Sequence, residues 1–211
     1  MRAATLLRET GEVALAAPIF AAAPLIRCWH LRWGATDEEV SAPMPGDEIV
    51  STPSFCATRA ITIAAPPEVV WRWIVQAGFG RAGFYSYDLL DNAGRPSADE
   101  ILPEHQDPKV GDRVPMAAKV TDTTSFRVAE IAAGRTLLWE KPHSTWSWTL
   151  SPLPGGNATR VVTRLKDRYT WRESPGLAFV TLILFEHGDF PMMRKMLYGI
   201  RARAEREACN G

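Results

Sequence analysis

With 211 residues, 46% of them hydrophobic and 23% charged, the chain is long enough to bury one substantial core and to carry an appendage beside it. Lys plus Arg and Asp plus Glu number 24 each, so no net field recruits nucleic acid, and nucleic-acid binding is excluded from the expected functions. Cys28, Cys56 and Cys209 are far apart and show neither CxxC nor Cys/His spacing; they read as scattered thiols, and no metal site is expected.

Val13 to Ile26, VALAAPIFAAAPLI, is an apolar run of 14 residues. Arg2 and Arg8 precede it, Arg27 and Arg32 follow it, and Pro18 and Pro24 interrupt it. A spanning helix needs about 20 such residues. Three readings stay open: a helix packed or loosely docked on the domain, a membrane-associated segment, and a cleaved signal with Ala21 to Ala23 as its cleavage region. Thr36 followed by Glu39 is a capping box that predicts a short helix, stopped by Pro43 and Pro45. His30, between Trp29 and Trp33, reads as a helix end packed on the domain. Residues 1–49 therefore form an expected N-terminal extension, and residues 50–211 the domain proper.

In the domain, Arg59, Ile61 and Ile63 alternate with Ala60, Thr62 and Ala64 as in a strand, and Pro66-Pro67-Glu68 opens a helix carrying Val69, Val70, Trp73, Ile74 and Ala77. Gly78 to Asn92, GFGRAGFYSYDLLDN, is a loop after a helix and lacks the GxGxxG or GxxxxGK spacing of a phosphate cradle. Its glycines instead free the backbone to fold Phe84, Tyr85 and Tyr87 over something, with Asp88 expected to cap Leu89-Leu90. His105 falls in the polar stretch Asp99 to Asp112. Strands are expected over Val114–Val120, Ser125–Ile131, Thr136–Glu140, Ser144–Leu150 and Thr159–Tyr169, joined as an antiparallel meander by Ala133-Gly134-Arg135, Lys141-Pro142 and Pro154-Gly155-Gly156-Asn157. Trp146 and Trp148 share one strand face. Leu177 to Phe185 reads as a buried helical turn or two feeding the last helix, Gly188 to Glu207, for which Asp189 is the expected cap. On that helix Phe190, Met193, Leu197, Ile200 and Ala204 form one apolar face, and Met192, Met196 and Gly199 a softer second stripe.

Strand, helix, loop, antiparallel strands and long terminal helix is the order of the helix-grip fold: an α+β architecture with a curved antiparallel sheet wrapped around a C-terminal helix, here with an N-terminal helical extension. Over about residues 50–207 the chain resembles the SRPBCC superfamily, which includes START lipid-transfer domains, the birch pollen allergen group and polyketide cyclase/dehydrase-like proteins. The resemblance is carried by TRAITIAAPPEVVW from Thr58 to Trp71, by GRAGFYSYD from Gly80 to Asp88, and by GDF and MMRKMLYGI in the last helix. It is greatest to a bacterial subgroup without a known activity. Relatives there carry a hydrophobic helix ahead of a segment similar to Trp29 to Gly34, which keeps a cytoplasmic but membrane-tethered protein in view.

The resemblance implies a cavity between sheet and C-terminal helix for a lipid, polyketide or sterol-like molecule, with no cofactor. Trp146 and Trp148 would face it from the sheet, Met192 and Met196 from the helix, and Phe84, Tyr85 and Tyr87 would form its gate. A second function is a cyclase or dehydratase, using Tyr87, Asp88 and His105 as acid/base groups at the mouth; Glu140 with His143, and Arg164, are further titratable residues. A third is a membrane-associated structural or envelope protein that makes contact through residues 13–26. No Ser/His/Asp order, metal-ligand pair or nucleotide loop supports a hydrolase, metalloenzyme or dehydrogenase. The sequence specifies neither the ligand nor the oligomeric state.

Overall fold

Period-two alternation places nearly every strand where it is expected. In the computed structural model, which describes residues 3–210, these are β1 (Phe55–Ile63), β2 (Arg113–Pro115), β3 (Ser125–Ala132), β4 (Thr136–Lys141), β5 (Ser144–Pro152) and β6 (Thr159–Asp167). Met1, Arg2 and Gly211, at the ends of the two expected regions, lie outside the described residues. The strands form one antiparallel sheet in the order β1-β6-β5-β4-β3-β2, so the first strand pairs with the last and closes the meander. One strand is shorter than expected: residues 116–120 leave the sheet after β2. Thr121 and Thr124 there exchange hydrogen bonds between backbone amides and hydroxyls at 2.9 and 3.2 Å, which satisfies the chain locally instead of in a ladder.

The helices are α1 (Ala3–Ala22), α2 (Arg27–His30), α3 (Asp37–Ser41), α4 (Pro67–Val75), α5 (Asp88–Asp91), α6 (Pro175–Ile183) and α7 (Phe190–Asn210). The capping box of α3 is present, with the Glu39 amide donating to Thr36 Oγ1 at 3.2 Å and the Thr36 amide donating to Glu39 at 2.8 Å. At the C-terminus the expected start at Asp189 is corrected. α6 runs into α7 through one turn of π-helix, Leu184–Asp189, so the chain is already helical where the Asp-Phe-Pro signal occurs. The wide turn sits directly ahead of Pro191, whose ring and missing N–H interrupt the α-helical ladder. α6 is also not the buried segment expected: Leu177, Phe179, Val180, Ile183 and Leu184 are exposed, while Ala178 and Phe185 are buried.

The helical unit lies on the sheet's inner face. Phe190, Met193, Met196, Leu197, Ile200 and Ala204 are buried against a core that includes Phe55, Ile61, Ile63, Trp139, Trp146 and Trp148. α4 packs beside α7, and Trp73 Nε1 donates to Glu207 at 2.7 Å. Gly199 is where the Gly78–Asn92 loop crosses α7; a methyl group there would collide with the Tyr85 carbonyl.

Asp189 has a different role from a cap. It is buried, 2.6 Å from the Arg59 guanidinium of β1, itself only 1% exposed. Arg59 Nε donates to the His30 carbonyl at 2.8 Å, the guanidinium lies 5.5 Å from the centre of the Phe190 ring, and the His30 ring stacks on Phe190 at 5.2 Å. Burial, and then the charge of Arg59, push the His30 imidazole down to about 4, so it is neutral at physiological pH. Four parts of the chain meet here: α2, β1, the π-turn and α7.

Residues before β1 cover the outer face of the sheet, where Arg164 of β6 donates to the carbonyls of Glu39, Val40 and Ala42 and to Asp47 at 2.6 to 3.0 Å. Arg164 is therefore a tie between segments and points away from the inner face. α1 lies along the terminal helical unit: Lys195 pairs with Glu12, the His187 ring donates to the Phe20 carbonyl at 3.1 Å, and Arg27 pairs with Glu186 at 2.8 Å. Helical structure also continues through Pro18 and Pro24, by way of a 3₁₀ turn at Ala23–Ile26, so the apolar helical stretch is longer than the 14-residue run suggests.

Removing one partner of the Arg59–Asp189 pair strands the other charge in the core. Arg59→Ala and Asp189→Ala are each expected to cost about 3 to 5 kcal/mol in urea unfolding, whereas the apolar pair Arg59→Met with Asp189→Leu costs clearly less than either single change. Equal losses for single and double variants would show that the site depends on shape alone.

Candidate functional site

Between the terminal helical unit and the inner face of the sheet lies a cavity of about 240 Å³. Its walls are mostly apolar. The helices contribute Leu184, Phe185, Met192, Met193 and Met196; the sheet contributes Phe126, Trp146 and Leu165; Met116 follows β2; and Phe84, Ser86, Leu90 and Asp91 come from the Gly78–Asn92 loop and α5. Three methionines recur on α7 at spacings that hold them on one side of the helix, and Met116 faces the same space. Thioethers are unbranched and polarizable, so they adapt to an irregular occupant. The loop is fastened to the helix by Ser86, whose hydroxyl donates to the Met192 carbonyl at 2.9 Å.

Of the expected ligand-binding residues, Phe84, Trp146, Met192 and Met196 are on this cavity, and Tyr85, Tyr87 and Trp148 are not. Tyr85 adopts φ 56°, which turns its ring towards α4; there its hydroxyl donates to the Trp73 carbonyl and accepts from Gln76, both at 3.0 Å. Burial holds its phenol well above the ordinary range. Tyr87 faces α1, with Phe20 at 5.6 Å and the Lys195 ammonium 4.0 Å from the ring centre. Trp148 is wholly buried beside Trp139 and Trp146, at 6.2 and 5.2 Å, and is core.

The three expected acid/base residues do not converge. Tyr87 is used against α1. Asp88 accepts from the Ser97 amide at 2.8 Å and from its hydroxyl at 2.5 Å, so it organises the loop and faces Ser97 instead of an occupant. His105 lies in a surface cleft with Arg81 and Glu104, where burial and the Arg81 charge lower its pKa. His143 sits at the β4–β5 turn against Glu173 and Arg168, at 3.1 and 2.7 Å.

Sequence reading missed the polar groups that do reach the cavity: Asp91, Asp189, Lys141 and Ser86. Asp189 is neutralised by Arg59. Lys141 lies 4.9 Å from the centre of the Phe126 ring, and burial lowers its pKa. Asp91 is 8% exposed, and neither of its carboxylate oxygens accepts a hydrogen bond among the described residues. Ser86 is close enough to favour the charged form, but its proton is directed to Met192. Burial first, and the charge of Asp88 second, push the Asp91 carboxyl up to about 7. The available signal was the spacing: Asp88 and Asp91 are three apart on one helical turn and share its face.

A carboxyl raised this way weakens the fold as pH increases. Between its unfolded value near 3.8 and about 7, the native state keeps a proton that the unfolded chain has released, so stability falls across that window and the loss is complete above it. Asp167, raised by burial to about 6, acts in the same direction. Asp91→Asn should therefore flatten the decline in urea midpoint between pH 5 and 8 and be the more stable protein at pH 8, by about 2 to 4 kcal/mol. An unchanged slope would mean that Asp91 is ionised throughout.

No family model matches the chain, and no curated protein matches it. Among solved structures it is similar to a polyketide-cyclase-like protein from Corynebacterium glutamicum, at 15% identity over 72% of this chain and 92% of that one, with a TM-score of 0.45. It is also similar to a protein from Mesorhizobium loti, at 18% identity over 71% and 97% with a TM-score of 0.39, and to one from Nitrosomonas europaea, at 16% over 73% and 96% with a TM-score of 0.43. At these identities and scores the likenesses transfer neither ligand nor reaction. The helix-grip architecture is a property of this chain's own strand order and C-terminal helix.

Proposed function

We propose that the protein binds a small, largely hydrophobic molecule in the cavity between sheet and C-terminal helix. The observation that carries this reading is the wall itself: four methionines and four aromatic rings, Phe84, Phe126, Trp146 and Phe185, surround space that the side chains leave unfilled. Well-packed interiors leave few voids larger than a water molecule. An apolar cavity of roughly 150 Å³ accepts benzene, so 240 Å³ suits an apolar body on the order of ten heavy atoms. A sterol or full lipid would place one end here and the remainder outside. The cyclase or dehydratase alternative loses the support of Tyr87, Asp88 and His105 acting together, and Asp91 is the group through which acid/base chemistry would have to run.

A second reading, contact with a lipid surface, is favoured by a separate observation. Within the helical stretch Leu7–His30 an 18-residue window has a mean hydropathy of 1.4 and is only 11% buried, and Leu15, Leu25 and Trp29 are exposed along the stretch. Phe179, Val180 and Ile183 add to the exposed apolar surface on α6, and Ala23–Ile26 packs against the π-turn that follows α6. An extended apolar surface of this kind suits the interfacial region of a bilayer.

Titration with indole and n-hexanol, followed by calorimetry and native mass spectrometry, tests the first reading. Both probes should bind the wild type, and Met196→Trp should weaken them at least tenfold while costing no more than about 1 to 3 kcal/mol of stability. Failure of both to bind would sink the cavity reading. For the second, the wild type should float with phosphatidylcholine vesicles, and a Leu25→Ser, Phe179→Ser, Val180→Ser variant should sediment; equal flotation would remove the surface-contact reading.

A further inference from the structure

Among the described residues, the charged groups around the cavity other than Asp91 each have a partner in the protein: an opposite charge, for Lys141 a ring and a carbonyl, and for Asp88 the Ser97 amide and hydroxyl. Arg59 is paired with Asp189, and Lys195 with Glu12 and the face of Tyr87. Lys141 lies over the Phe126 ring, and its ammonium donates to the Thr123 carbonyl at 3.4 Å. Asp88 on the same turn accepts twice from Ser97. Asp91 remains: more than nine-tenths buried, on the cavity wall, with both oxygens unpartnered among the described residues. A carboxyl left this way costs stability, and the cost is recovered only if something brought into the cavity supplies what the protein does not. Around it the wall is aliphatic, thioether and aromatic, so the missing group must arrive attached to an apolar body.

Building on the cavity reading above, we propose that the ligand class is a small amphiphilic amine: an apolar body seated against Met192, Met193, Met196 and Trp146, and an ammonium group that forms an ion pair with Asp91. A neutral alcohol would satisfy one oxygen of Asp91 but leave its charge unbalanced, and a carboxylate at this end of the cavity would meet like charge from both Asp91 and the nearby Asp88, while Lys141 on the wall is engaged by the Phe126 ring and the Thr123 carbonyl. The charged groups acting on Asp91 are Asp88 from its own turn, which disfavours ionisation, and Lys195 of α7, which favours it; Ser86 favours it through its hydroxyl. Because burial also holds the carboxyl near neutrality, an ammonium must displace a proton below about pH 7, and amine affinity should fall towards tenfold per pH unit there while alcohol affinity stays level.

The probes are n-hexylamine, n-hexanol and n-hexanoate, titrated calorimetrically into wild type and Asp91→Asn at pH 8 and pH 5.5. The proposal expects the amine to bind wild type at pH 8 at least tenfold more tightly than the alcohol, and to lose that preference both in Asp91→Asn and at pH 5.5. Alcohol binding should be the same in both proteins, which also shows that the variant's cavity is intact. If the variant does not fold, the wild-type pH profile alone decides. Equal binding of amine and alcohol to wild type, an amine preference that survives Asp91→Asn, or tightest binding of hexanoate would each overturn the amine assignment and leave the cavity reading standing. Failure of all three probes to bind overturns both.

Discussion

The contact between Arg59 and Asp189 is the constraint on which the rest of this structure depends. Arg59 comes from the first strand and Asp189 from the turn where one helix becomes another, so the pair fixes the terminal helical unit along the sheet's edge. Two buried charges are a poor source of net stability compared with apolar packing, since each must first leave water. What they provide is position. A helix held only by its apolar face would slide until its methionines filled the sheet's concavity, but a buried ion pair tolerates little displacement. His30 and Phe190 complete the node by holding the extension against the same point, which is how residues before the domain come to bear on the geometry of its interior.

The same economy explains why the cavity stays open. Three polar contacts, Arg59 to Asp189, Ser86 to the Met192 carbonyl and Asp88 to Ser97, hold its walls at fixed separations. The wide turn at Leu184–Asp189 swings Leu184, Phe185 and Asp189 to the same side as the methionines of α7. The loop crosses α7 at Gly199, where the absence of a side chain lets backbone meet helix directly. None of these contacts depends on filling the middle, so side chains of irregular shape can line it without collapse.

How much of this was legible in the sequence depends on the range of the interaction involved. Strands β3 to β6, the Thr36 capping box and the apolar stripe of α7 follow from neighbours two to four residues apart, and those readings match the structure closely. Asp189 misled because Gly-Asp-Phe-Pro is a good local helix start, while the partner that redefines it, Arg59, is 130 residues earlier. Asp88 and Asp91 are equivalent by local rules. What separates them is that Ser97 folds back to donate to the first, while among the described residues nothing donates to the second. Tyr85 faces α4 because its backbone takes a left-handed conformation, a choice an aromatic run does not announce. The exposure of α6 was equally hidden, since an uncharged helix reads as core until its surroundings are known.

That exposure joins the cavity to the uncovered face of α6. Leu184 both lines the cavity and is 52% exposed, and Leu90 on the loop side is in the same position, so the cavity's rim is apolar as well as its interior. Phe179, Val180 and Ile183 continue that rim along α6, with the N-terminal helical stretch beside the following π-turn. A rim of this kind disfavours an aqueous approach by a hydrophobic molecule less than it favours transfer from another apolar phase, because surface already dry on one side is not rehydrated on the way in. An amphiphile in a lipid interface has its apolar body in that phase and its charged head at the water boundary. On the proposed amine reading, the methionines and rings would surround the body and Asp91 would meet the head. If both proposals hold, the unpaired carboxylate and the uncovered helix face belong to one route, and the ion pair of Arg59 and Asp189 sits at the turn between α6 and α7 beside it.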